Sequence, residues 1–224
     1  MVYNSCMVKS NKKNEEILRI LGQFYRDAKP ALEFQSPYQL LVAVLLSAQC
    51  TDARVNIVTG ELFRAAPDAA AMNTLSREEI ETIIKSCGLY KNKSKNIAAL
   101  SKILMEEYGG EVPQERAALE SLPGIGRKSA NVVLSVAFHV PAIAVDTHVF
   151  RVSRRLGFSQ AKNVLGVEKD LMELIPKADW SAAHHWLIFH GRRFCKAQRP
   201  ECKNCPLYTV CPYEEKTKGR KEKK

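Results

Sequence analysis

LPGIGRKSANVVLSVAFHVPAIAVD, residues Leu122 to Asp146, is the stretch from which the fold of this chain is best predicted. Pro123 supplies no amide donor, and Gly124 and Gly126 can adopt backbone angles closed to other residues, so the stretch should begin with a tight turn. From Arg127 the apolar residues recur at helical spacing. Free backbone N–H groups are expected where the turn meets this helix, and such a place binds an anion such as a phosphate.

Two titratable residues lie at this predicted helix, one in its first turn and one in the segment that follows it. Lys128 lies in its first turn, where the positive end of the helix dipole disfavours the ammonium form, and a lysine with a depressed pKa is a nucleophile. Asp146 ends the apolar run Ala142–Val145 and precedes a second helical segment, so it should be the N-cap of that segment. A helical lysine is usually solvated and an aspartate before a helix usually only caps it, so neither residue alone indicates chemistry.

Taken together, the segments LPGIGRKSAN and VDTHVFRV resemble the helix-hairpin-helix-plus-Gly/Pro/Asp family of DNA glycosylases, specifically its endonuclease III branch. The resemblance extends from about Ser36 to Pro212. In that family the hairpin grips a DNA phosphate, a lysine attacks the sugar of a damaged nucleotide, and an aspartate assists. The resemblance therefore implies that Lys128 and Asp146 are catalytic. It also implies DNA contacts by Gly124, Ile125, Gly126 and Arg127, and His148 is expected to contact DNA as well.

Two further segments carry the resemblance. LLSAQCTD (Leu45–Asp52) contains Gln49, which in the family reaches into the space left by a flipped nucleotide. GLYKNKSKNI (Gly88–Ile97) contains Leu89, which would wedge into the duplex, followed by three lysines expected at phosphates. Without the resemblance, the first segment would be a helix–helix corner and the second a solvated loop whose leucine packs inward. Cys50, where the family commonly has alanine, is expected to be a small buried thiol without chemistry.

The rest of the chain predicts an all-α protein, since no period-two strand pattern or internal repeat is found. Ser36 followed by Pro37 predicts a helix start, Asp52 should cap a helix over Ala53–Ala65, and Ser76 should open a capping box. By resemblance, the chain has two helical lobes with DNA in the cleft between them. Residues 30–140 would form a helical barrel domain with the hairpin, and residues 1–29 and 141–224 a discontinuous iron-sulfur cluster domain.

Four of the seven cysteines are closely spaced near the C-terminus, in the pattern C-x6-C-x2-C-x5-C: Cys195, Cys202, Cys205 and Cys211. Four thiolates can bind zinc or a [4Fe–4S] cluster, and general spacing rules do not separate the two. Two disulfides or four free thiols are the alternatives without a metal. The spacing matches the cluster loop of endonuclease III, so the resemblance implies a [4Fe–4S] cluster, with a structural role. Cys6, Cys50 and Cys87 are expected to be ordinary thiols, and the five histidines show no metal-ligand spacing.

Composition limits the function only loosely. A formal charge of +10 suggests an anionic partner, but it would also suit a ribosome-associated or membrane-surface protein. No apolar run is long enough to cross a bilayer, and no signal peptide is found at the start. The last nine residues, Lys216–Lys224, hold six Lys or Arg and should form a disordered, solvated tail. A cytoplasmic, nucleoid-associated monomer that binds double-stranded DNA and no membrane is expected.

The function implied by the resemblance is that of a bifunctional DNA glycosylase and abasic-site lyase of base excision repair. It would remove oxidised pyrimidines and nick the strand 3′ to the abasic site by β-elimination. Mismatch adenine glycosylases share the hairpin, aspartate and cluster, but they generally lack the lysine and carry a further C-terminal domain. A non-catalytic module that binds phosphate and structural zinc is the alternative outside the enzymes. Lys128 together with Asp146 favours the lyase over both.

Overall fold

The computed structural model describes residues 12–214. Within that range the chain forms eleven α-helices and two short 3-10 helices without a β-strand, so the all-α prediction is confirmed. Over the same residues, no helix combines the length and the apolar character needed to cross a membrane. The predicted basic tail, Lys216–Lys224, lies outside the described residues.

The chain divides into two compact units by its contacts. Pro30–Ala142 forms one unit, and the flanking segments, up to Lys29 and from Ile143 onward, form the other. Each unit has its own buried apolar cluster.

The continuous unit contains seven helices, arranged around a central apolar one: α2 (Pro37–Leu46), α3 (Asp52–Ala65), α4 (Ala69–Met72), α5 (Arg77–Ile84), α6 (Tyr90–Tyr108), α7 (Arg116–Ser121) and α8 (Arg127–Ala137). Every residue of α2 from Tyr38 to Leu46 is buried, and the helix packs against α3, α6 and α8. A helix that is apolar on all sides must be surrounded, which explains the central place of α2. The hairpin motif formed by α7 and α8 is therefore anchored directly to the core.

Helix starts in this unit follow local capping chemistry. The Ser36 hydroxyl accepts a hydrogen bond from the backbone N–H of Gln39, and Ser76 forms a complete capping box with Glu79, so both predictions are confirmed. The prediction for Asp52 is wrong. Thr51 is the N-cap of α3 and accepts from the N–H of Arg54, whereas Asp52 is the first helical residue. Two adjacent residues can both cap a helix, and the extended backbone at residue 51 decides between them.

The discontinuous unit contains four helices: α1 (Lys12–Phe24), α9 (Thr147–Arg155), α10 (Val164–Leu174) and α11 (Trp180–Arg193). Helix α11 packs against both α1 and α9, and Ile17, Val149 and Leu187 are buried in their shared core. This packing connects the N-terminal helix to elements more than a hundred residues later in the chain. The loop after α11 carries the four closely spaced cysteines.

Candidate functional site

The turn between α7 and α8 is fixed by apolar anchors and by one glycine. Leu122 and Ile125 are buried, and the N–H of Ile125 donates to the carbonyl of Leu122 at 3.1 Å. Gly124 has φ = 81°, and a Cβ there would lie 2.6 Å from Asn96 Nδ2, so this position requires glycine. Gly126 is extended, at φ = −102°, and does not need the special angles expected of it. Since Ile125 is buried, only its backbone can meet a ligand.

Helix α8 begins at this turn with Gly126 as N-cap, and no side chain caps it. A glycine before a helix lets a ligand approach the backbone closely, and the partial positive charge of the helix N-terminus attracts an anion. Arg127 is half-buried in the first turn and Lys128 beside it is exposed, so a substrate can reach the amine. The turn and the helix thus bring together backbone donors and two cations.

Asp146 and His148 lie at the start of α9, in the other unit. Asp146 Oδ1 accepts a hydrogen bond from the N–H of Val149 at 2.7 Å, so the predicted N-cap is confirmed. His148 Nδ1 lies 3.1 Å from Arg151 Nη2. A guanidinium can only donate, so Nδ1 is the acceptor and the ring proton is on Nε2. Burial lowers the pKa of His148, which favours this neutral form, although the nearby Asp146 carboxylate acts in the opposite direction.

Gln49 and Leu89 share an uncommon backbone conformation. Both have positive φ, 53° and 59°, and both side chains are exposed, Leu89 by 58%. Their segments are adjacent, since a Cβ on Gly88 would lie 3.4 Å from the Gln49 carbonyl oxygen. A left-handed backbone costs a non-glycine residue about 1–2 kcal/mol, and such strain concentrates at functional positions. Leu89 does not pack inward, as the solvated-loop alternative required of it.

Lys93 is a correction to the sequence analysis. It was expected at a phosphate together with Lys91 and Lys95, which are both exposed, but it is buried, and its Nζ donates to the carbonyl of Leu46 at 2.9 Å. The lysine thereby satisfies the C-terminus of α2, where the helix dipole favours a cation. Burial lowers the pKa of Lys93. Lys93 lies four and seven residues before the buried Ile97 and Leu100, on the same face of α6, so helical spacing is the signal that could have placed it inward.

Cys50 also differs from its expectation. It is half-exposed instead of buried, and its Sγ atom lies 3.7 Å from the Sγ of Cys87, which is fully buried. The two thiols belong to the segments that carry Gln49 and Leu89. Nothing in the spacing of two cysteines 37 residues apart predicts this contact.

The four cysteines after α11 line one cavity, as their spacing predicts. Apolar and aromatic groups complete its wall: Leu156, Phe194, Tyr208 and Tyr213. Burial raises the pKa of Cys205 to about 11 and also raises that of Cys202, so these thiols stay protonated until a metal replaces the proton. Four sulfur ligands around a single apolar-walled cavity fit a thiolate-bound metal centre.

The four thiols are a donor set that either a zinc ion or a [4Fe–4S] cluster accepts, so the lining of the cavity is compatible with both centres.

A polar shell around this cavity was not foreseen from the sequence. Arg155 Nη1 donates to Cys195 Sγ at 3.5 Å and to the carbonyl of Lys196 at 2.7 Å. His190 is buried, with Nε2 3.5 Å from Cys205 Sγ and Nδ1 3.2 Å from the Tyr25 hydroxyl. Burial lowers the pKa of His190 to about 4, so it is neutral and has one ring proton. A thiolate ligand can only accept, so binding of a metal would place that proton on Nε2, with Tyr25 donating to Nδ1.

Comparison with known proteins identifies the family. Residues 42–177 match the HhH-GPD superfamily of base excision DNA repair proteins. Endonuclease III of Bacillus subtilis is 55% identical over 201 residues, covering 89% of this chain and 92% of its own length. Endonuclease III of Escherichia coli K12 is 49% identical over 204 residues, covering 91% and 97%.

Solved structures give the same result at the level of the fold. The structure of a trapped endonuclease III–DNA covalent intermediate matches with a TM-score of 0.86 and 50% identity, over 92% of this chain and 99% of that one. A non-covalent endonuclease III–DNA complex matches with a TM-score of 0.85 and 50% identity, over 91% and 96%. On this likeness and the family match, the chain belongs to the endonuclease III family within the HhH-GPD superfamily of base excision DNA repair proteins.

Proposed function

We propose that this protein is a bifunctional DNA glycosylase and abasic-site lyase that removes oxidised pyrimidines and nicks the strand 3′ to the abasic site. One observation carries the proposal. An exposed lysine, Lys128, lies in the first turn of α8, directly after the turn of the hairpin, and no side chain caps that helix. In this arrangement the helix N-terminus can hold a phosphate of the DNA while the nucleophilic amine attacks the sugar of a nucleotide beside it. A relative with 50% identity has been captured in a covalent intermediate with DNA, which supports covalent chemistry here.

The reaction begins with extrusion of the damaged nucleotide, because its sugar cannot be attacked inside a stacked duplex. The amine of Lys128 attacks the anomeric carbon, and the bond to the base breaks, with the base leaving with the electron pair. One proton of the attached amine goes to the departing base, and the other goes to the ring oxygen as the sugar ring opens to an imine. Loss of a C2′ proton from the imine then expels the 3′ phosphate by β-elimination, and hydrolysis of the imine returns the free lysine.

Asp146 is proposed to stabilise the positive charge that develops on the sugar as the base departs. Its cap uses only Oδ1 toward Val149 in the structure, and the hydrogen bond holds the carboxylate in a fixed orientation at the start of α9. A preorientated charge of this kind costs little reorganisation during the reaction. His148, two residues later, is proposed as a DNA contact.

DNA binding is proposed to involve three surfaces of the continuous unit. The backbone at Gly124–Gly126 and the Arg127 side chain would hold a phosphate. Gln49 would fill the space left by the extruded nucleotide, and Leu89 would insert as an apolar wedge. The exposure and positive φ of both residues support this assignment, since neither side chain is used in the core.

The cysteine loop is proposed to bind a [4Fe–4S] cluster through Cys195, Cys202, Cys205 and Cys211. All four ligand positions would be occupied by protein, which supports a structural role. Five cations on or beside the loop are exposed: Arg192, Arg193, Lys196, Arg199 and Lys203. With the cluster in place, the loop would present this basic surface to the DNA backbone. We further propose that the protein acts as a monomer on double-stranded DNA in the cytoplasm, at the nucleoid.

Borohydride trapping tests the proposal. The wild-type protein should be trapped on a duplex with an abasic site and on one with an oxidised pyrimidine. Lys128→Ala should abolish both adducts and strand cleavage while duplex binding survives. Lys102→Ala, which removes another exposed lysine from the same unit, is the control and should leave trapping unchanged. Adducts formed by Lys128→Ala would show that another amine is the nucleophile.

A further inference from the structure

Cys50 and Cys87 form a close pair in the continuous unit. Their Sγ atoms are 3.7 Å apart, with Cys50 half-exposed and Cys87 only 1% exposed. A disulfide needs about 2.05 Å between the sulfurs, so the two atoms must approach by roughly 1.7 Å. Rotation about the Cα–Cβ bonds and small shifts of the two loop segments can supply such a movement. The four cysteines after α11 belong to the other unit.

The surroundings give the two thiols different roles. Cys50 is the one that a reagent in solution can reach. Burial raises the pKa of Cys87 to about 11, although the positive charges of Lys93 and Arg54 act in the opposite direction. Cys87 is thus the protected partner, held against Cys50 and close to a buried ammonium group that stabilises a thiolate as it forms.

We propose that Cys50 and Cys87 are an oxidisable dithiol that closes to an intramolecular disulfide. The oxidant is a small disulfide. The Cys50 thiolate attacks one sulfur of the oxidant, whose S–S bond breaks, and one thiolate leaves. The Cys87 thiolate then attacks Cys50 Sγ and expels the second thiolate. The two protons of the protein thiols end on the two released thiols, so the protein is oxidised by two electrons and the oxidant is reduced by two.

The position of the bond gives it a consequence for DNA binding, and this part rests on the proposed function. Cys50 directly follows Gln49, and Cys87 lies two residues before Leu89. The disulfide would therefore tie together the two segments whose exposed, positive-φ residues are proposed to enter the duplex. DNA bound at Gln49 and Leu89 would in turn cover Cys50, so DNA binding and oxidation should compete.

The experiment uses the full-length, cluster-loaded protein in glutathione buffers of increasing oxidised fraction. Visible absorption monitors the cluster, and free thiols are then alkylated before digestion and mass spectrometry. We expect a cross-linked peptide pair joining Cys50 to Cys87, and loss of that pair after reduction. Cys50→Ala, with the residue the family commonly has here, should give no cross-link while keeping its colour and its borohydride trapping. Glutathione on Cys50 without a link to Cys87, or two alkylated thiols while the cluster is intact, would overturn the proposal.

A second arm adds a duplex that contains a non-cleavable abasic analogue. Formation of the cross-link should then be severalfold slower than in the free protein. An unchanged rate would overturn the proposed competition with DNA, although the dithiol itself would stand. Failure of the proposed function would be seen separately, as the absence of a borohydride-trapped adduct in the reduced wild-type protein.

Discussion

Asp146 has two roles that a single substitution can separate. As an N-cap it accepts a hydrogen bond from Val149, and as a proposed catalytic group it supplies a negative charge. Asparagine caps a helix about as well as aspartate but has no charge. A residue that only caps α9 would therefore tolerate asparagine, whereas one that stabilises a developing cation would not.

We expect Asp146→Asn to slow base release by about a hundredfold or more, the usual effect of removing an electrostatic stabiliser, without lowering the melting temperature. Single-turnover release of an oxidised pyrimidine and thermal unfolding are the measurements. Asp68→Asn is the matched control, because Asp68 caps α4 in the same way, with its Oδ1 2.8 Å from the N–H of Ala71. Unimpaired base release by Asp146→Asn would reduce Asp146 to a cap.

For Leu89 the question is whether its apolar side chain serves the fold or DNA binding. We expect Leu89→Asn to keep the melting temperature, since asparagine tolerates a left-handed backbone and the leucine is exposed. Loss of the wedge should lower lesion excision by roughly ten- to hundredfold, because burying a leucine in the duplex is worth about 1.5–3 kcal/mol. Ile57→Asn removes an equally exposed apolar residue from α3 and should leave excision unchanged. Equal activity of Leu89→Asn and wild type would contradict the wedge.

At the scale of the elements, the two glycines of the α7–α8 hairpin have different roles. Gly124 has positive φ and lies against Asn96 and Leu45. Around Gly126, no residue of the described range other than its neighbours in the chain and the backbone of its own helix lies within 4 Å of the place where a Cβ would be. The first glycine is required by the fold. The second leaves space at the N-terminus of α8, where the proposed phosphate would bind.

Gly124→Ala should therefore lower the free energy of unfolding by roughly 1–2 kcal/mol or more, through backbone strain and crowding. Gly126→Ala should cost less than about 1 kcal/mol, from the poorer N-cap, but should weaken duplex binding because the methyl group occupies the proposed phosphate site. Chemical denaturation and duplex titration distinguish the two effects. If Gly126→Ala bound DNA as tightly as wild type, the phosphate would have to lie elsewhere.

The sequence predicted most of the features that depend on near neighbours, although Thr51, and not Asp52, caps α3. The Ser36 and Ser76 caps and the Asp146 cap are set by residues three positions away. What it could not give depends on packing between distant segments. Helical spacing places Lys93 on the inner face of α6, but its partner, the Leu46 carbonyl, is 47 residues away, and Cys50 and Cys87 meet because α2 and α6 bring their loops together. The polar groups around the cysteine cavity come from α9, from α11 and from Tyr25, just after α1, for the same reason.

At the scale of the whole chain, two separate apolar cores predict that the two units respond differently to damage in the cysteine loop. The loop belongs to the unit with α1, α9, α10 and α11, and hydrogen bonds from Arg155 join α9 to the loop at Cys195 and Lys196. A centre that binds only the folded loop stabilises the unit that contains it. The core around α2 does not depend on that loop for its packing.

Cys205→Ser should therefore cause loss of the brown colour and destabilise only the discontinuous unit. For a loss of about 2 kcal/mol, the melting transition of that unit should fall by roughly 10 °C, while the other transition stays in place. Hydrogen exchange resolves the two, with faster exchange in α9 and α11 and unchanged protection in α2 and α6. Cys50→Ala is the control, because it removes a cysteine outside the loop, and it should keep the brown colour and both melting transitions. A uniform loss of protection in both units would show that the cluster stabilises the chain as one cooperative body, and a colourless wild-type protein would favour zinc.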